Sequence, residues 1–187
     1  MSILLDGLSL GAIYALIALG YTMVYGIAKL LNFAHGDIIM VGAYAILCML
    51  NLCGNVYVAL VAAVVICTVM GIAVEKFAYK PLRGASPLAV LITAIGVSFL
   101  LQSVAQLVFG AKSRPVSLPS FGTFTVAGVT VNASTLITLA VGAVIMAALT
   151  LFVAKTRIGR AMQAVSEDRG AAQLMGINVN AIVSVTF

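Results

Sequence analysis

Residues 56–74 read VYVALVAAVVICTVMGIAV, nineteen residues without a charge or a proline. As a helix rising 1.5 Å per residue this run is about 28 Å long, close to the thickness of a bilayer's hydrocarbon core. It reads as a membrane span. The whole chain agrees, being 63% hydrophobic and 8% charged, against roughly 45–50% apolar and ~25% charged residues in soluble domains. A length of 187 residues leaves room for about five or six such spans with little mass outside the membrane. A net charge of +5 would suggest nucleic acid in a soluble chain. Here the basic residues stand beside the apolar runs, as membrane orientation requires, and no nucleic-acid reading survives.

Outward from that run toward the carboxyl end, Glu75, Lys76, Lys80 and Arg83 interrupt the apolar pattern, and Pro81 and Pro87 close a predicted loop over residues 75–87. Residues 88–109 form a fourth span. Its Ser98, Gln102 and Gln106 fall at i, i+4 and i+8, with Ser103 beside them, so one face carries a polar stripe. That stripe either packs against neighbouring helices or lines a translocation path. Residues 110–134 hold Pro115, Pro119 and several small polar residues, and read as an extended loop or a short hairpin. Residues 135–154 are the fifth span. Residues 181–187 begin a sixth apolar run that stops after two turns, so the chain is expected to be the front part of a longer protein.

Toward the amino end, residues 51–55 are expected to form a tight turn, and residues 38–52 leave only about 22 Å of helix, short of a full crossing. Asn32, His35, Gly36 and Asp37 precede them. Three arrangements fit: a helix starting near Ala34 with Asp37 in its first turn, a break at membrane depth lining a cavity, or an interfacial turn capped by Asn32. Residues 7–27 are a first span too long, and too lacking in a basic leader, to be a cleaved signal. Its Gly7 and Gly11 have the Gly-x-x-x-Gly spacing that lets another helix approach, a spacing that also arises by chance in glycine-rich spans. Tyr14, Tyr21, Thr22 and Tyr25 give this helix more polar atoms than lipid contact needs.

The largest polar interruption is residues 155–180, with four of the ten basic residues and two of the five acids. Ile158, Ala161, Met162 and Val165 line one face of a short helix whose other side shows Arg157, Arg160 and Gln163. Ser166 is the expected cap of a second helix, with Glu167 and Asp168 at its positive end and Ala171, Ala172, Leu174 and Met175 as its apolar side. Gly176 is the expected stop. Two short helices in one loop would form a docking surface for a soluble partner; a solvated linker is the alternative.

If residues 29–37, 75–87 and 155–180 share one side, eight basic residues lie there and only Lys112 and Arg114 lie opposite. The three loops are then cytoplasmic, and the amino terminus and residues 110–134 are outside. Catalysis is not expected. There is no P-loop, no carboxylate pair and no metal motif; His35 is the only histidine, and the acids are expected near span ends or in loops. Cys48, Cys53 and Cys67 lack metal or redox spacing and read as small buried hydrophobes.

The run GAIYALIALGYTMVYG (residues 11–26), then NFAHGD (32–37), YKPLR (79–83), RIGRA (157–161) with Glu167 and Asp168, and MGIN (175–178) resemble the membrane permeases of bacterial ABC importers for branched-chain amino acids, of the LivH type. The resemblance covers essentially the whole chain. It implies an all-α polytopic bundle in the inner membrane, with about five complete spans and the start of a sixth. It also implies a second related permease, two cytoplasmic ATPase subunits and an extracytoplasmic binding protein. ATP and magnesium would sit on the ATPases, with no cofactor on this chain. The ATPases would dock on Arg157, Gly159, Arg160, Ala161, Glu167, Asp168, Ala171, Ala172 and Gly176. An amino acid in the path would need polar partners, for which Asn32, His35, Gly36, Asp37, Ser98, Gln102 and Gln106 are the candidates. Permeases for urea and short amides are similar, and a non-transporting fragment is the third reading.

Overall fold

The computed structural model describes residues 2–29, 31–112, 115, 122–126 and 129–187. Five of its helices are long and apolar enough to cross a membrane: α1 (Ser2–Ala28), α2 (His35–Cys53), α3 (Val56–Val74) with its continuation to Leu82, α4 (Pro87–Phe109) and α5 (Ala133–Lys155). Three short helices follow, α6 (Arg157–Glu167), α7 (Arg169–Leu174) and α8 (Val179–Thr186). The chain is an all-α multi-pass membrane protein with one small hairpin. In that hairpin β1 (Thr123–Val126) runs antiparallel to β2 (Val129–Asn132), Thr123 facing Asn132 and Val126 facing Val129. Arg114 and Pro119 lie outside the described residues, as do 113, 116–118, 120–121 and 127–128.

The chain divides into two compact units. One comprises Ala28–Leu118 with Val183–Phe187. In it α2 and α3 meet through small residues: a Cβ on Gly42 would lie 2.7 Å from Cys67 Sγ, and that thiol donates to Ile38 O at 3.5 Å. Small residues let backbones approach where apolar area alone gives no drive, because lipid is equally apolar. Large apolar side chains such as Tyr57, Leu60, Val64 and Leu107 point outward, as lipid contact requires.

The turn between α2 and α3 is shorter than expected. α2 runs to Cys53, Gly54 takes the left-handed conformation (φ +64°), and Asn55 Oδ1 accepts Tyr57 N–H at 2.9 Å. Cys53 is exposed and Cys48 and Cys67 are partly buried, so the buried-hydrophobe reading fails for Cys53, which sits at the helix end.

The predicted loop 75–87 is largely helix. Glu75–Tyr79 forms a π-helical turn in which Lys80 N–H reaches back to Glu75 O, and Lys80–Leu82 a 3-10 turn. Pro81 explains the irregularity, since it has no N–H and its ring crowds the carbonyl four residues back. Ser86 then caps α4 by accepting Ala89 N–H at 3.4 Å, with Pro87 in the first turn. Ala34, Val74, Tyr79, Val90 and Ala94 form the buried core at this end.

The other unit comprises Met1–Ile27 with Pro119–Ile182. Here α1 packs on α5, Gly142 lying against Ala12 and Leu16. Gly7 and Gly11 meet nothing within 4 Å. The close approach anticipated at those two glycines is made instead by the glycine of the facing helix.

Candidate functional site

Two clusters gather the residues singled out in the sequence. The first is at the start of α2. Helix α2 begins at His35 with Ala34 at its cap position and no side-chain cap, so Asn32 does not cap it. The carbonyl of Asn32 accepts His35 N–H at 3.2 Å, while its buried side chain accepts Tyr79 O–H at 2.9 Å. Asp37 falls in the first turn of α2 and is only 7% exposed. Gln102 Nε2 donates to Asp37 Oδ1 at 2.9 Å and to Ser98 Oγ at 3.1 Å.

Ser98 is the midpoint of α4, and Cys67, which contacts Ile38, is near the middle of the continuous helix Val56–Leu82. Asp37 therefore lies opposite the middle of two spans. This corrects the placement of residues 35–37 in a loop; Asp37 stands in the first turn of α2, at the start of that span, as one of the expected arrangements had it. Acids at such depth are costly and face protein or a water-filled path. His35 is half-buried; Gly36 and Gln106 are exposed and stay outside the cluster.

Sequence reasoning missed an adjoining network. Glu75 is buried and forms an ion pair with Arg83, and Ser184 Oγ donates to Glu75 Oε1 at 3.0 Å. Arg83 Nη2 also donates to Ser184 Oγ at 3.0 Å. The π-helical turn produces this, setting Glu75 and Tyr79 inward while Lys76, Phe77 and Lys80 stay outward. Tyr79 in turn packs against Phe187, ring centroids 5.1 Å apart. The signal available was Pro81 six residues after Glu75.

The second cluster is the α5–α6–α7 segment. Thr156 ends α5 and caps α6: its Oγ1 donates to Phe152 O at 2.7 Å and accepts Gly159 N–H at 2.9 Å. Gly159 is buried against the end of α5, and a Cβ there would lie 2.3 Å from Val153 O and 2.5 Å from Phe152 O. No side chain fits. Met162 and Val165 are buried as the periodicity predicts, but Ile158 is exposed, its place taken by the glycine contact.

The second helix starts later than predicted. Ser166 belongs to α6, its hydroxyl donating to Gln163 O at 2.7 Å, and Asp168 is the cap, its Oδ1 accepting Gly170 N–H at 2.7 Å and Ala171 N–H at 3.0 Å. Of the predicted apolar side of α7 only Ala172 is buried; Ala171, Leu174 and Met175 are exposed. Gly176 (φ +83°) stops α7, with Ile177 N–H returning to Ala172 O and Gly176 N–H to Gln173 O, a Schellman end. Arg169, absent from the candidates, donates from Nη2 to Ile27 O at 3.1 Å, tying α7 to the last turn of α1. Arg157, Arg160, Glu167 and Asp168 are exposed, and Ala161 is half-buried.

Residues 3–187 match the family described as "Branched-chain amino acid transport system / permease component". The chain belongs to this family. Among the relatives of this permease chain, the high-affinity branched-chain amino acid transport system permease protein BraD of Pseudomonas aeruginosa is 39% identical over 98% of the chain and 64% of its own length. LivH of Escherichia coli (strain K12), of the same description, is 43% identical over 97% of the chain and 64% of its own length. A probable branched-chain amino acid transport permease protein LivH of Methanocaldococcus jannaschii is 31% identical over 88% of the chain and 54% of its own length. The chain thus spans less than two thirds of the length of these relatives. No solved structure matches it.

Proposed function

We propose that this chain forms the membrane-spanning part of a permease subunit in an ATP-driven importer of branched-chain amino acids, leucine, isoleucine and valine, in the bacterial inner membrane. The observation that carries the reading is the family match over residues 3–187. In this proposal the chain pairs with a second permease, two cytoplasmic ATPases supply and hydrolyse ATP with magnesium, and a binding protein delivers the amino acid from outside. The eight-against-two distribution of basic residues supports a cytoplasmic position for α6 and α7. Their exposed Arg157, Arg160, Glu167 and Asp168 offer charge to the ATPases, while the glycine contact at 159 holds α6 against α5. Movement of the ATPases would then reach α5 directly, and through Arg169 the end of α1.

Two measurements test this. The ATPases are expected to co-purify with the complex and to be lost with Arg160→Glu or Glu167→Lys; undiminished association removes the docking role. Labelled leucine uptake by the complete importer is expected to be competed by isoleucine and valine but not by urea. Competition by urea alone would assign the transporter to short amides instead.

A further inference from the structure

Asp37 is more than nine-tenths buried, yet only one of its carboxyl oxygens is engaged. Oδ1 accepts from Gln102, whose amide is itself tied to Ser98; among the described residues Oδ2 accepts no hydrogen bond. Among the described residues no basic side chain forms an ion pair with it. Arg83 is committed to Glu75, and Lys76 and Lys80 are exposed beyond the far end of α3. The second oxygen is not sealed off and keeps access to the surface, where a cation or donor can reach it.

Further along α2 an apolar cleft of about 320 Å³ opens between α2, α3 and α4, lined by Val41, Ala45, Met70, Leu101 and Ala105 among others and walled by the stacked rings of Tyr44 and Phe109; Asp37 itself is not part of its lining. Val41 is one helical turn beyond Asp37, and Leu101 is the neighbour of Gln102. Along α2 the acid and the first lining residue are thus about one turn, ~5.4 Å of helix, apart. That is close to the separation between the ammonium group and the branched end of an aliphatic amino acid. A volume of this size is also at the small end of ligand sites, roughly 300–1,000 Å³.

We infer that Asp37, held by Gln102, receives the α-ammonium group of a branched aliphatic amino acid on its way through the membrane, with the side chain in the cleft between α2, α3 and α4. The inference rests on the importer reading above and adds a site to it. It also separates cargoes: urea and short amides have no ammonium group, so an acid here would give them nothing.

The test uses the complete importer in proteoliposomes with its binding protein and ATP. Asp37→Asn keeps the size of the side chain and can still bond Gln102, so it removes charge more than packing. Leucine uptake is expected to fall roughly thirtyfold or more, the loss that follows removal of one member of a buried charge pair, while the complex still assembles. Asp37→Glu is expected to recover part of the uptake. Wild-type import of leucine with an equal rate in Asp37→Asn would overturn this inference alone; wild-type import of urea without leucine would overturn the cargo reading and the inference together.

Should Asp37→Asn fail to assemble, the wild-type complex decides. Cys48 lines the cleft, and its alkylation by N-ethylmaleimide can be followed by peptide mass. Leucine and isoamylamine are expected to slow it, and 4-methylpentanoate, which lacks the ammonium group, is not. Equal rates with all three would overturn the proposal.

Discussion

In the unit built from α2, α3 and α4, the bonds that join separate elements are largely between side chains: Gln102 to Asp37, Tyr79 to Asn32, Arg83 and Ser184 to Glu75. Around α6 and α7 polar side chains bond to backbone: Thr156 to Phe152 O and Gly159 N, Asp168 to Gly170 N and Ala171 N, Arg169 to Ile27 O. The difference follows from where free backbone groups exist. A span satisfies most of its own N–H and C=O groups along its length, so the links between distant helices run chiefly through pairs of side chains. Thr68 and Thr93 turn back to carbonyls of their own helices, and the Cys67 thiol to Ile38 O. Short helices expose four unpaired groups at each end, and side chains there serve the ends. Polar residues in the first region lock helices to one another; in the second they fix where helices begin and stop.

Removing one member of each kind of bond sharpens the contrast. The largest effect is expected from Glu75→Ala, which leaves the Arg83 charge in a buried site and should cost about 3–5 kcal/mol, read as loss of thermal stability in detergent. Replacing Glu75 by Leu and Arg83 by Met together should recover most of it; a double variant as unstable as the single one would show that the pair is not what matters. Gly159→Ala comes next, at about 1–3 kcal/mol for forcing a methyl group into the end of α5. It should act on the α5–α6 junction, seen as faster backbone hydrogen exchange there, and unchanged exchange would refute the close contact. The smallest effect is Asp168→Ala, about 1 kcal/mol for a lost helix cap, whereas Ser166→Ala should change little. If Ser166→Ala proves the more damaging of the two, the placement of the cap is wrong.

The spans were legible because a run such as 56–74 leaves no other option in composition or length, and α3 occupies just those residues. Gly176 was legible too, since a glycine after a short amphipathic run is a specific stop signal. Residues 75–83 were not. Charges and a proline after a span read as a loop, and the burial of Glu75 depends on Ser184, 109 positions away. The cap of α7 was misplaced by two residues because Ser166 and Asp168 are both good capping types and local pattern does not rank them. For α7, periodicity named an apolar side that six residues of helix do not bury, leaving Leu174 and Met175 exposed. The polar stripe on α4 was visible, but its meeting with Asp37 is a fact of tertiary packing.

Thr156 is both the last cap of α5 and the first cap of α6, so no free residue stands between a membrane helix of 23 residues and a surface helix of 11. In mechanical terms the joint has no slack. A lever about 16 Å long is clamped to its shaft by one hydroxyl and one glycine contact, and a tilt of α6 must turn or shift the end of α5 by a proportionate amount. A longer, looser connection would absorb a small tilt; this one hands it on.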